Sequence, residues 1–194
     1  MKNKKIIVTL AVSCILLIPD SLSQTLNYTS TDDAHVVIKG TATMHSWKLS
    51  SETMMSEVIF NTGNGETIES LESVMFTLEK TTLESDRSRM ARDAHEEMDA
   101  DNHPRISFRS NGNGNIERNG DEYRVTATGD LTISGITRQV SVEATCIKTG
   151  DEMVCTGTRD LKMTDYDIDP PTVMLGAIRT HDDVTVEFRI VYSQ

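Results

Sequence analysis

The sequence predicts an all-β fold: antiparallel strands joined by tight turns, closed into a barrel or stacked as a sandwich, with a single helix among them. Three observations carry this. Two-residue loops at Ser134-Gly135 and Gly150-Asp151 each lie between segments of alternating apolar and polar residues, the pattern of a β-hairpin. Similar alternating segments recur along the chain, ending in the row Val184, Val186, Phe188, Ile190 and Tyr192. The period changes between Ser85 and Asn102, where Met90, Ala94 and Met98 recur every four residues, which is helical spacing.

The first hairpin organises the rest. Tyr123, Val125, Ala127, Gly129, Leu131 and Ile133 share one face of its first strand; Val140, Val142, Ala144 and Cys146 share one face of its second. With Ser134-Gly135 as the loop, Ile133 faces Ile136, Leu131 faces Arg138, Gly129 faces Val140, Ala127 faces Val142 and Val125 faces Ala144. The apolar rows coincide in that register, and a slip by one residue would set an apolar row against a polar one. Small residues at Ala127, Gly129 and Ala144 leave room above the sheet, for other side chains or for a ligand. The second loop sets Thr149 opposite Glu152, Lys148 opposite Met153, Ile147 opposite Val154 and Cys146 opposite Cys155. Facing side chains at a non-hydrogen-bonded pair come closest, so Cys146 and Cys155 are expected to bond in an oxidising compartment, the alternative being two buried free thiols.

From the start of the chain, Lys2, Lys4 and Lys5 precede an apolar run from Ile6 to Ile18. Its length of about 13 residues falls short of the roughly 20 that a spanning helix needs. Pro19 ends the run, and Ser21-Leu22-Ser23 offers small residues at both positions a signal peptidase reads. Residues 1–23 therefore read as a secretory signal peptide, with the mature domain over 24–194 and a periplasmic or secreted location. No later stretch approaches spanning length, so stable membrane insertion is not expected. The chain has 19 Lys and Arg against 30 Asp and Glu; without Lys2, Lys4, Lys5 and Asp20 it keeps 16 against 29, a net charge of −13. Such a surface repels nucleic acid and anionic lipid headgroups, and solubility is the preferred reading of it.

Gln24 to Ala34 is polar and reads as a ragged lead-in. Val36 and Ile38 share a face of the first strand, which reaches Gly40; TATMHSWKL follows. A strand through Glu57–Phe60 is broken at Gly63-Asn64-Gly65. Val74, Phe76 and Leu78 face one way, with Met75, Thr77 and Glu79 opposite. Pro104 closes the helical stretch, because the residue before proline is pushed out of the α region. Asn111 to Asn115 reads as a loop. On the Cys155 strand, Gly157, Leu161 and Met163 face inward, and Thr164 to Pro171 is irregular.

Several of these residues resemble one family. Gly129–Val140, GDLTISGITRQV, is similar to the "G-x-Leu-Thr-Ile-x-Gly-x-Thr-Arg-x-Val" hairpin of the YceI-like proteins, a lipocalin-like, polyisoprenoid-binding family. Pro104-Arg105-Ile106-Ser107-Phe108 resembles its "Pro-x-Ile-x-Phe" strand after a helix, and Met44-His45-Ser46-Trp47 its early His or Trp feature. The resemblance runs from Val36 to Tyr192. It implies a lipocalin-like, eight-stranded antiparallel β-barrel with one helix near the mouth, holding a long apolar isoprenoid-type lipid, a polyisoprenoid or an isoprenoid quinone. A barrel of that size can just enclose one small or slender ligand.

The inner-face positions expected to line the cavity are Val36, Ile38, Phe76, Leu78, Phe108, Val125, Ala127, Val142, Leu161, Val186 and Phe188. His45 and Trp47 read either as a headgroup anchor or as packing at the barrel end. Arg138 reads as a structural partner of Asp130 or Asp165 in preference to a contact with a polar headgroup. Methionines 54, 55, 90, 98, 153, 163 and 174 are adaptable fillers for an irregular apolar interior. His95-Glu96-Glu97-Met98-Asp99 differs by one residue from the zinc-protease motif His-Glu-x-x-His, so His95 and Asp99 could share a helical face. An exposed acidic helix explains the stretch better. No catalytic residue, metal or cofactor is expected. Two alternatives remain: a metal-dependent enzyme built on the His95 helix, and a filled barrel serving as a protein-interaction module. A homodimer is left open.

Overall fold

The computed structural model describes residues 24–63, 67–112, 114–173 and 175–194. The signal peptide expected over residues 1–23, Asn64 and Gly65 of the expected break, Asn113 of the expected loop, and Met174 lie outside the described residues. The strands are β1 (Gln24–Ser30), β2 (His35–Ala42), β3 (Ser46–Ser51), β4 (Met55–Thr62), β5 (Ile68–Glu79), β6 (Arg105–Ser110), β7 (Asn115–Asn119), β8 (Glu122–Ile133), β9 (Ile136–Thr149), β10 (Glu152–Lys162), β11 (Thr172–Val173) and β12 (Ile178–Ser193). One helix, α1 (Ser88–Glu97), follows β5. It is shorter than the Ser85–Asn102 stretch that carries helical spacing.

The strands form a closed, eight-staved antiparallel barrel. Three staves are broken in two: β1 with β2, β3 with β4, and β6 with β7. Both halves of the first stave pair with β12, and Thr29–Ser193 and Ser30–Tyr192 close the ring. Side chains carry the backbone through the breaks. The Ser56 amide donates to Ser30 Oγ at 2.9 Å, and the Thr53 amide to Ser51 Oγ at 3.1 Å. These bonds replace ladder hydrogen bonds that the kinks interrupt.

The lead-in expected at Gln24–Ala34 is a correction: most of it is β1, paired with β4 from Gln24–Thr62 to Thr29–Glu57. Tyr28 is fully buried and packs edge-on against Phe60, ring centroids 6.1 Å apart. With Leu26 and Tyr28 as its apolar residues, the strand has little alternation to read.

Both hairpins hold the registers read from their loops. Ile133–Ile136 through Val125–Ala144 pair as expected on β8 and β9, and Thr149–Glu152 through Cys146–Cys155 on β9 and β10. Ser134 and Gly135 take φ of 51° and 80°, the left-handed values of a tight primed turn. Cys146 and Cys155 are joined by a disulfide, their Cα atoms 4.0 Å apart. Opening it in a Cys146→Ser, Cys155→Ser protein is expected to lower stability by about 2–3 kcal/mol on the loop-entropy account. The drop in the urea midpoint measures this, and thiol titration of unfolded, unreduced wild type should find none of the thiol of these two cysteines.

One end of the barrel is packed solid. Tyr28, Phe60, Leu71, Tyr123, Met153, Tyr192 and the disulfide fill it. The other end, where the Ser134-Gly135 turn, the start of β6 and the end of β10 meet, is covered by α1 through Met90, Ala91 and Ala94.

Candidate functional site

Between the packed end and the helix lies an inner cavity of about 190 Å³. All eleven inner-face positions named from the sequence border it: Val36, Ile38, Phe76, Leu78, Phe108, Val125, Ala127, Val142, Leu161, Val186 and Phe188. Alternation places them there, since each side chain two residues on returns to the same face. The room left by small residues divides in two. A Cβ on Gly129 would lie 2.7 Å from Phe108 Cζ, so the Phe108 ring occupies that space. Ala127 and Ala144 instead face the cavity.

The inner wall is nearly all apolar. Its polar members are Ser56, Tyr192 and Arg159. The Ser56 and Tyr192 hydroxyls bond at 2.8 Å, and Ser56 Oγ also lies 2.9 Å from the Met75 carbonyl. Burial pushes the Tyr192 phenol up to about 12, against the pull of the Ser56 hydroxyl, so it stays neutral at ordinary pH. Arg159 was missed from the sequence. It shares the inward parity of Cys155, Gly157 and Leu161, and that alternation was the signal.

A second cavity of about 340 Å³ opens beneath α1. Ile38, Ile106, Ile133, Leu161 and Val186 border both spaces, so the two adjoin. Trp47 lines this mouth from β3, with its ring laid over Gly40, where any Cβ would collide with it. His45 lines the same mouth from the turn before β3 and is exposed. Met90, Met98 and Met163 border the mouth, while Met153 is sealed in the packed end. Met55 is 70% exposed and fills nothing, a correction to its reading as an interior filler.

The pair His95 and Asp99 does not share a helical face. Asp99 lies beyond α1 with φ of 51°, 3.8 Å from His103, while His95 Nε2 lies 3.0 Å from the Leu83 carbonyl. The geometry differs from the metal-ligand pair weighed above because the helix has already ended. Arg138 does meet Asp165, but through the backbone: its Nε donates to the Asp165 carbonyl at 2.9 Å.

Lys80 is a further residue the sequence reading passed over. It is fully buried at the end of β5, and its ammonium donates to the Met98 carbonyl and, at 3.2 Å, to Ser134 Oγ. Ser134 Oγ donates to the same Met98 carbonyl at 2.7 Å. These bonds tie the end of α1 to the hairpin tip and hold the mouth's cover in place. Burial lowers the Lys80 ammonium below its usual range, with Asp99 pulling the other way. A cation whose folded pKa lies below its unfolded one costs stability while protonated. Lys80's contribution therefore rises as pH climbs through the folded pKa and levels off above the unfolded value of about 10.4. Wild type should gain stability relative to Lys80→Met as pH is raised from about 7 towards 10, read as the difference in urea midpoints.

Fold and site together define a barrel with an apolar interior chamber, capped at its mouth by a helix. The chain belongs to the YceI-like domain family, whose model matches residues 26–192. None of the curated proteins matches the sequence. Among solved structures, BcnA of Burkholderia cenocepacia superposes with a TM-score of 0.66 at 18% identity, over 84% of this chain and 98% of that one. A polyisoprenoid binding domain from Saccharophagus degradans, implicated in plant cell wall breakdown, gives 0.63 at 7% identity, over 86% and 97%. A mutant of the YceI protein of Campylobacter jejuni gives 0.55 at 12% identity, over 100% and 99%. At these identities the likeness is one of fold.

Proposed function

We propose that this protein is an exported, non-catalytic carrier that holds a long apolar isoprenoid-type lipid, a polyisoprenoid or an isoprenoid quinone, in its interior. The single observation that carries the reading is the pair of adjoining cavities, walled by aliphatic and aromatic side chains and reached beneath α1. Membership of the YceI-like family and the fold shared with a polyisoprenoid binding domain support the ligand class. Binding would work by excluding water from the chain, at about 0.8 kcal/mol per buried methylene, so several isoprene units bind without directed contacts. The disulfide agrees with an oxidising periplasmic or secreted location, and the signal peptide read at residues 1–23 would deliver it there. Among the described residues no helix is long and apolar enough to cross a membrane.

The filled-barrel alternative loses support from the empty inner volume, and the enzyme alternative from the separated His95 and Asp99. Mass spectrometry of organic extracts from natively purified protein tests the proposal. Recovery of a stoichiometric isoprenoid lipid is expected. Natively purified protein with no extractable lipid, and no uptake of one from vesicles, would count against it.

A further inference from the structure

We infer that Arg159 makes this barrel selective for lipid acids, amphiphiles whose anionic head, a carboxylate or a phosphate, docks on its guanidinium while the tail fills the inner cavity. The inference rests on the lipid-binding reading above and names the head of the ligand. Arg159 points inward from β10 and borders the inner cavity. Its Nε is sealed from solvent without a hydrogen-bond partner. Among the described residues, no hydrogen bond or ion pair engages its guanidinium. The two other polar side chains on that wall, Ser56 and Tyr192, satisfy each other. Arg159 is half-buried, and its sealed Nε–H lacks an acceptor, which costs stability. An oxyanion brought by the ligand would satisfy it, and the planar fork of arginine matches a carboxylate or phosphate through two parallel bonds.

A second unmet donor points the same way. Trp47 Nε1 is buried without a partner at the mouth cavity. Among the described residues, the two buried side-chain polar atoms left without partners are thus both donors, so the ligand that completes the site brings acceptor oxygens. The sheet sets these donors on neighbouring inward rows. Arg159 pairs across to Val186, Ile38 and Leu49, while Leu161 pairs across to Val184, Gly40 and Trp47. Leu161, Val186 and Ile38 border both cavities, so the donors flank the junction between them.

Arg159 also sits at a seam in the wall. The ladder between β9 and β10 stops at Ala144–Gly157, two residues short of it. A short 3-10 turn, Met163–Tyr166, lies against the seam, with Asp165 held by Arg138. The Arg159 charge reaches the Tyr166 phenol of that turn, which burial and Asp165 push above its usual range. The net charge of −11 opposes anion capture at long range. Selection of the head is therefore a contact effect, made inside the wall.

Geranylgeranoic acid, geranylgeranyl phosphate and geranylgeraniol share one tail and differ in the head. Their affinities for delipidated protein can be followed by the fluorescence of Trp47, the sole tryptophan. Wild type is expected to bind one or both anions on the order of tenfold to a hundredfold more tightly than the alcohol. The preferred anion then tells carboxylate from phosphate. Arg159→Met should bring the ratio close to one, and Arg159→Lys should restore part of it. Ligand-free Arg159→Met should melt no lower than wild type, because it loses a sealed donor that has no acceptor. Equal binding of acid, phosphate and alcohol by wild type, or a preference that survives in Arg159→Met, would overturn the assignment of the head while leaving lipid binding intact. Binding of none of the three would overturn both.

Discussion

Ala127→Trp is expected to leave the barrel folded and strip it of its lipid. Ala127 faces Val142 at mid-barrel, is 5% exposed, and borders the inner cavity. An indole placed there has open volume in front of it. Unfilled apolar space costs about 24 cal/mol per Å³, so a cavity of this size represents on the order of 4–5 kcal/mol that a lipid tail or an indole can recover. The ring and the lipid therefore compete for one space. Thermal unfolding and lipid content measured on one preparation decide the matter: an unchanged or raised melting temperature with lipid lost is the expected pair. A sharply lowered melting temperature with lipid content unchanged would place the ligand elsewhere.

The second large effect is expected two residues along the same strand, with the opposite sign for stability. Gly129→Val should cost about 3 kcal/mol or more, because its Cβ has nowhere to go. It would collide with the Arg109 carbonyl and sit 2.7 Å from Ser110 Cα and from Phe108 Cζ. Two of those atoms are backbone of β6, paired with β8 at Ser110–Gly129, so relief means parting the two strands. Urea unfolding should show a lowered midpoint, and soluble expression should fall. A midpoint within error of wild type would show that the Phe108 ring and its strand can yield. Ala127 and Gly129 were read from the sequence as equivalent room; in the structure one opens on a cavity and the other is filled by a phenyl ring.

That contrast marks where sequence reading stops. The two hairpin registers were legible because a loop of two residues leaves a single pairing that sets apolar against apolar. The inward rows followed from the same alternation, which is why all eleven positions meet around one space. The closure of the barrel came from the family resemblance, since local periodicity says nothing about which distant strands pair. β1 was hidden by its composition. Arg159 was hidden by its charge: an arginine inside an alternating strand is ordinarily read as a solvent-facing neighbour, and parity alone argued otherwise. Lys80 falls where β5 ends, and its burial depends on Met98 and Ser134, which come from segments far along the chain.

The incomplete ladder between β9 and β10 has a mechanical consequence. Where a ladder is complete, its backbone hydrogen bonds must break together for the wall to part. Beyond Ala144–Gly157, among the described residues, a guanidinium–carbonyl bond from Arg138 to Asp165 and a four-residue turn bridge this pair. The wall is weaker along this line than where its ladders run on. Widening the wall along this line would leave the other end of the same strand pair laced and bolted by the disulfide.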